Sequence, residues 1–179
     1  MSNSRNHLDS LYAILRGMIR HEIDQTPGFR ELTGRSDLPA NIDAEKAILG
    51  AMMLDNTVNF AEIEADCFSL DSHRRIWAAM DALMGAGKPV DIVTLKEQMG
   101  DGVKEIGGVA YLASLTEGLP MRPVVSEYIA ILQEKAKLRR IMQACIEAIK
   151  ACQEQREKAA DIVGQLGIAV RGIRKGNGK

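Results

Sequence analysis

Between residues 124 and 152 the chain carries two apolar stripes on a single helical pattern, and this limits its folds more than anything else. Leu138, Met142, Cys145, Ile149 and Cys152 step by four, three, four and three, the spacing of a coiled-coil-like seam. Tyr128 and Ile131 extend the seam backwards, with Lys135 standing where an apolar residue would continue it. Val125, Ile129, Leu132 and Ala136 form a second stripe beside the first. A helix with two apolar stripes needs two neighbours. The chain supplies one: residues 153–158 are a polar reversal, and residues 159–173 return with Ile162, Val163, Leu166, Ile168, Ala169, Val170 and Ile173. So short a connection favours antiparallel pairing. A two-helix hairpin leaves apolar surface on the order of several hundred Å² open, and a patch of that size marks an interface. Tyr128, Ile131, Leu138, Met142, Cys145, Ile149, Cys152, Ile162, Leu166 and Val170 therefore read as an oligomer interface. The competing reading is a hairpin covered entirely by its own head. Gly164, Gly167 and Gly172 each cost roughly 1 kcal/mol against Ala in a helix interior; either they admit close helix approach or the helix frays early.

Upstream, residues 38–122 read as a string of short helices. Asp43 and Glu45 fall in the first turn of one helix, where carboxylates favour the positive end of the helix dipole. Ile48, Leu49, Met52 and Met53 are its buried stripe. A second short helix over residues 58–65 places Phe60 and Ile63 inward. Asp71 reads as the N-cap of a third, with Ile76, Trp77, Met80 and Leu83 on its apolar face. Asp91 caps a fourth over residues 92–99, burying Leu95 and Met99 with either Ile92 or Val93. Gly107-Gly108 break the chain before a fifth over residues 109–115, and Pro120 and Pro123 precede the long helix.

No segment shows the sustained two-residue alternation of a half-buried strand. With aromatic residues at 4%, the core falls to Leu, Ile, Val, Met and Ala, a mixture that suits helices. The expected fold is all-α: a compact multi-helix head over residues 38–122, then a long antiparallel helical hairpin over residues 123–174. Residues 175–179 read as a flexible tail. Residues 1–37 form an N-terminal extension with one amphipathic helix, marked by Leu8, Leu11, Tyr12, Leu15, Met18, Ile19 and Ile23, and a linker. At 179 residues there is material for one proper core.

The chemistry-bearing patterns are weak. The only place for a phosphate-binding loop is Gly87-Lys88, but Ala82 stands where the leading glycine belongs and Pro89 replaces the hydroxyl. His7, His21 and His73 are scattered without metal-ligand spacing, and His73 reads as a packing or hydrogen-bonding residue one turn from Trp77. Catalytic residues, cofactors and metals are therefore expected to be none. Cys67, Cys145 and Cys152 are odd in number and unpatterned, which suits a reduced, cytoplasmic protein. Lys plus Arg (23) nearly balances Asp plus Glu (24), so nucleic-acid binding is expected to be at most weak, through Arg139, Arg140 and the basic tail. No apolar run is long enough for a bilayer, so no membrane partner is expected.

One order of landmarks goes further. Pro39-Ala-Asn-Ile-Asp-Ala-Glu45 leads to Ile48-Leu49-Gly50, then Phe68, His73-Arg74-Arg75-Ile76-Trp77, Pro89-Val90-Asp91 and Gly107-Gly108-Val-Ala-Tyr111-Leu112. This order resembles the N-terminal collar domain of the bacterial replicative DNA helicases, the DnaB family. The resemblance implies a head over residues 42–119 and a hairpin over residues 124–173. It implies that hairpins pair into a threefold collar above a six-membered motor ring, and that the collar helps to dock a DnaG-type primase. Glu45, Gly50, Phe68, His73, Asp91, Gly107, Gly108, Tyr111 and Leu112 then look like fold-defining residues. Residues 1–37 fall outside the family pattern. The chain also ends near where the linker to the ATPase domain would start, so ATP hydrolysis and unwinding do not carry over. The expected function is a non-catalytic replication scaffold that self-associates as a dimer or higher oligomer and docks a helicase or primase. The alternative is a stand-alone regulator or loader that binds the host replicative helicase or primase.

Overall fold

The computed structural model describes residues 38–57, 60, 62–119, 124–155 and 157–175, the side chains of 174 and 175 excepted. The expected helix and linker within residues 1–37, Pro120, Pro123 and the end of the tail lie outside these. Seven α-helices and one 3-10 turn, and no strand, make up the described residues. They are α1 (Ile42–Leu54), the 3-10 turn Ala65–Cys67, α2 (Asp71–Gly85), α3 (Ile92–Met99), α4 (Gly102–Glu105), α5 (Gly108–Ser114), α6 (Val125–Glu154) and α7 (Ala159–Lys175). The fold is all-α, as its residue spacing predicts.

Local chemistry sets the boundaries. The Asn41 side chain accepts from the Ala44 amide at 3.0 Å and starts α1. Asp91 starts α3 with a reciprocal capping box: its carboxylate accepts from the Thr94 amide, and the Thr94 hydroxyl accepts from the Asp91 amide. The Thr94 amide also holds the Asp91 carboxyl below its ordinary pKa. Gly107 turns the chain at φ 103, a left-handed conformation that favours glycine. Gly50 is needed for space, since a Cβ there would collide with the Leu115 carbonyl oxygen.

Two local expectations are corrected, and one further element is added. Asp71 does not cap α2: Leu70 occupies the cap position without a side-chain bond, and Asp71 is the first helical residue, its carboxylate 3.7 Å from Arg74. Phe60 and Ile63 are buried as expected, but the helical turn nearest them is the short one at Ala65–Cys67. The short helix α4 had no apolar periodicity to announce it, and only Val103 of it is buried.

The head core gathers Ile48, Leu49 and Met52 of α1, Ile76, Trp77, Met80 and Leu83 of α2, Leu95 of α3 and Leu112 of α5. Phe68 lies against Trp77 at 5.4 Å, and Phe60 meets the same ring edge-on at 6.1 Å. The first half of α6 closes this core: Ile129, Leu132 and Ala136 belong to it, and α6 packs along α1. α7 packs back on α6, completing the hairpin.

Candidate functional site

Inside the head, Glu45, His73 and Tyr111 form a line across three helices. Glu45 Oε1 accepts from the Ser69 amide at 2.8 Å, and Glu45 Oε2 lies 2.6 Å from His73 Nδ1. His73 Nε2 lies 2.6 Å from the Tyr111 hydroxyl. A neutral ring donating from Nδ1 and accepting at Nε2 satisfies all three groups. Burial alone would raise the Glu45 pKa, but hydrogen bonds from His73 and Ser69 outweigh it and hold the carboxyl below its ordinary value. Tyr111 is pushed up by desolvation and by the nearby Glu45 charge.

A carboxylate, imidazole and hydroxyl in a row have the composition of a catalytic relay. Access decides against that role. His73 is 0% exposed and Glu45 1%, so no substrate reaches the imidazole, and both its nitrogens are occupied. The line ties α1, α2 and α5 together. His73 thus hydrogen-bonds to residues distant in sequence rather than to a neighbouring turn, and its ring stacks on that of Tyr111 at 6.0 Å. Among the described residues no group of three or more His, Cys, Asp or Glu side chains is arranged to hold a metal ion.

Arg139 and Arg140, offered by the sequence as nucleic-acid contacts, turn onto the head instead. Arg139 donates to the carbonyls of Pro39 (2.8 Å), Asp66 (2.7 Å) and Cys67 (2.8 Å). Arg140 donates through Nε and Nη2 to Asp66 Oδ2, at 3.0 and 2.6 Å. The sequence carried the signal: Arg139 follows Ala136 by three, on the same face as Ile129 and Leu132.

The ten residues proposed for an interface fall into three groups. Tyr128 and Ile131 are partly buried against the head core. Ile162 is buried within the chain, outside the head cluster, as are Ala144 and Ile146 of α6. Leu138 (37% exposed), Cys145, Ile149 (40%), Cys152 and Val170 remain open, with Met142 and Leu166 half-buried beside them. Ile141, Val163 and Ile168 are open as well. The hairpin therefore covers part of its apolar surface and leaves the rest in solvent.

A sealed helical head bearing a hairpin with some open apolar positions defines an all-helical domain. The DnaB-like helicase N terminal domain family matches residues 37–134, and the chain belongs to that family. It is 35% identical over 130 residues to the replicative DNA helicase DnaB of Buchnera aphidicola subsp. Baizongia pistaciae, across 69% of this chain and 28% of that protein. It is 30% identical over 132 residues to the replicative DNA helicase DnaC of Bacillus subtilis, across 71% of this chain and 29% of that protein. The chain thus spans less than a third of these relatives' length, and the match does not cover their ATPase domain. Among solved structures, the N-terminal domain of DnaB helicase from Mycobacterium tuberculosis superposes with a TM-score of 0.69 at 26% identity, over 76% of this chain and 100% of that one. A DnaB-like replicative helicase, solved with attention to its interactions with primase, shares the fold with a TM-score of 0.63 at 20% identity, over 72% of this chain and 31% of that one. No described helix is long and apolar enough to cross a membrane.

Proposed function

We propose that this chain is a non-catalytic scaffold of the replicative helicase collar type, which self-associates through its hairpin and docks a replicative helicase or primase. The observation that carries the reading is the open seam of Leu138, Cys145, Ile149 and Cys152 on a helix whose other stripe is already covered by the head. Apolar groups held in water at helical spacing favour a partner with the same spacing, and a second hairpin has it. Membership of the family supports the scaffold role, and the primase interactions of one fold neighbour support the choice of partner.

Sedimentation from low to high micromolar concentration tests the reading. The chain should associate reversibly, and Ile149→Asp should leave a monomer with unchanged helicity. A wild-type chain that stays monomeric throughout, and retains neither purified helicase nor purified primase, would overturn it.

A further inference from the structure

We infer that Arg139, backed by Arg140, is a positioning residue that fixes the direction in which the hairpin leaves the head. Apolar contact with the head core ends part-way along α6. Ala136 is its last residue in the head core, yet the helix continues to Glu154. From Arg140 to Glu154 that is a lever of roughly 21 Å at 1.5 Å per residue. Tilting such a lever by about 10° moves its tip by about 4 Å, most of a helical turn. A seam of interdigitating side chains does not tolerate that displacement.

Both arginines sit at the fulcrum. The Arg139 fork grips two separate parts of the head at once: Pro39 just before α1, and Asp66 with Cys67 at the end of the 3-10 turn. The closing carbonyls of a helical turn lack partners within it, so these oxygens gain donors they would otherwise need from water. Arg140 adds two bonds to the Asp66 carboxylate on the same turn. Gripping from two directions with a planar, rigid fork resists rotation; a lysine ammonium, as a point donor, does not. Partial burial costs Arg139 some of its charge stabilisation and lowers its pKa, which the buried Glu45 carboxylate opposes. A charge kept there against desolvation, and bonded only to carbonyls, does more than hold a generic surface ion pair.

The test uses the full chain with spin labels at Lys88→Cys on the head and Gln153→Cys at the hairpin tip, in a Cys145→Ser, Cys152→Ser background, diluted with unlabelled chain. Pulsed dipolar spectroscopy should give one narrow distance with Arg139 present and a distribution several ångströms broader in Arg139→Gln. In chains with native cysteines, the same substitution should weaken self-association by about tenfold or more, because an unfixed lever must be ordered on binding. Should Arg139→Gln fail to fold, Arg139→Lys keeps the charge without the fork and is read the same way, with broadening again expected. A lower melting temperature with an unchanged distance distribution makes Arg139 merely stabilising and overturns the inference. A broadened distribution supports the clamp, and weakened association beside it shows that assembly uses the fixed direction. Failure of the wild-type chain to associate removes the proposed function, while the distance measurement still decides whether the clamp fixes the hairpin.

Discussion

The two halves of α6 are one continuous helix with the same kind of apolar spacing, yet they live in different environments. In the first half, Ile129, Leu132 and Ala136 complete the head core, and Leu132 is 1% exposed. In the second half, Ile141 and Ile149 stand in solvent and only Ala144 and Ile146 are buried. Periodicity therefore establishes that a face wants cover and is silent on who supplies it. The first half is covered by residues up to about a hundred positions away in its own chain, as the Arg139 bond to Pro39 illustrates. The second half packs against α7 and leaves Ile141 and Ile149 open.

The sharpest way to break this contrast is to place the same charge in each half. Leu132→Asp buries a carboxylate among apolar side chains without a partner. Large-to-small core changes alone cost about 2–5 kcal/mol, and an unpaired buried charge adds to that. A loss above about 5 kcal/mol is comparable with the whole stability of a small domain, so Leu132→Asp should abolish the cooperative melt seen by circular dichroism. Ile149→Asp should leave that melt nearly intact and act on sedimentation alone. If both unfold the chain, the second half of α6 is ordinary core and the comparison fails.

A smaller effect probes the polar line inside the head. Glu45→Gln removes the charge that His73 and Ser69 hold, at a cost of about 2–3 kcal/mol for charged hydrogen bonds lost in a buried site. Its pH signature is directional. In the unfolded chain Glu45 titrates near its ordinary 4.5 and in the folded chain lower, so the folded state binds fewer protons. The stabilisation is complete above the ordinary value and drains away as pH falls through the folded one. Thermal melts between pH 7 and pH 3 should show the wild-type advantage over Glu45→Gln shrinking below about pH 4.5. A constant gap across that range would mean that the carboxylate charge is not what the head uses.

Much of the fold was legible in the sequence because it rests on local rules. The helix spacing of Ile76, Trp77, Met80 and Leu83, the Asp91 cap and the Gly107 break are each set within a few residues. What was not legible depends on distant pairings. His73 finds Glu45 and Tyr111 on two other helices, and nothing within one turn of it distinguishes that outcome from packing on Trp77. Arg139 and Arg140 read as a place for weak nucleic-acid contact because adjacent basic residues make a local patch, although the stripe through Ala136 points the first of them inward. For the hairpin seam, spacing marks apolar positions, and the structure divides them between intrachain cover and open surface.

The smallest expected effect separates the two faces of α7. At 3.6 residues per turn, Leu166 and Val170 lie about 40° and 80° around the helix from Ile162, whereas Gly164 and Gly172 lie about 200° and 280° around. The two glycines therefore turn away from the side that carries Ile162, Leu166 and Val170. A Cβ added at either meets nothing within 4 Å, and neither has a left-handed backbone. Gly164→Ala and Gly172→Ala should each stabilise the hairpin by up to about 1 kcal/mol, through the lower entropy of the unfolded chain and better helix propensity. Because both point away from that side, self-association should be unchanged. A melting temperature that rises while sedimentation stays constant keeps the partner on the Leu166 side; association weakened by a single methyl at Gly164 would move the contact to the opposite face, where Ile168 is 67% exposed.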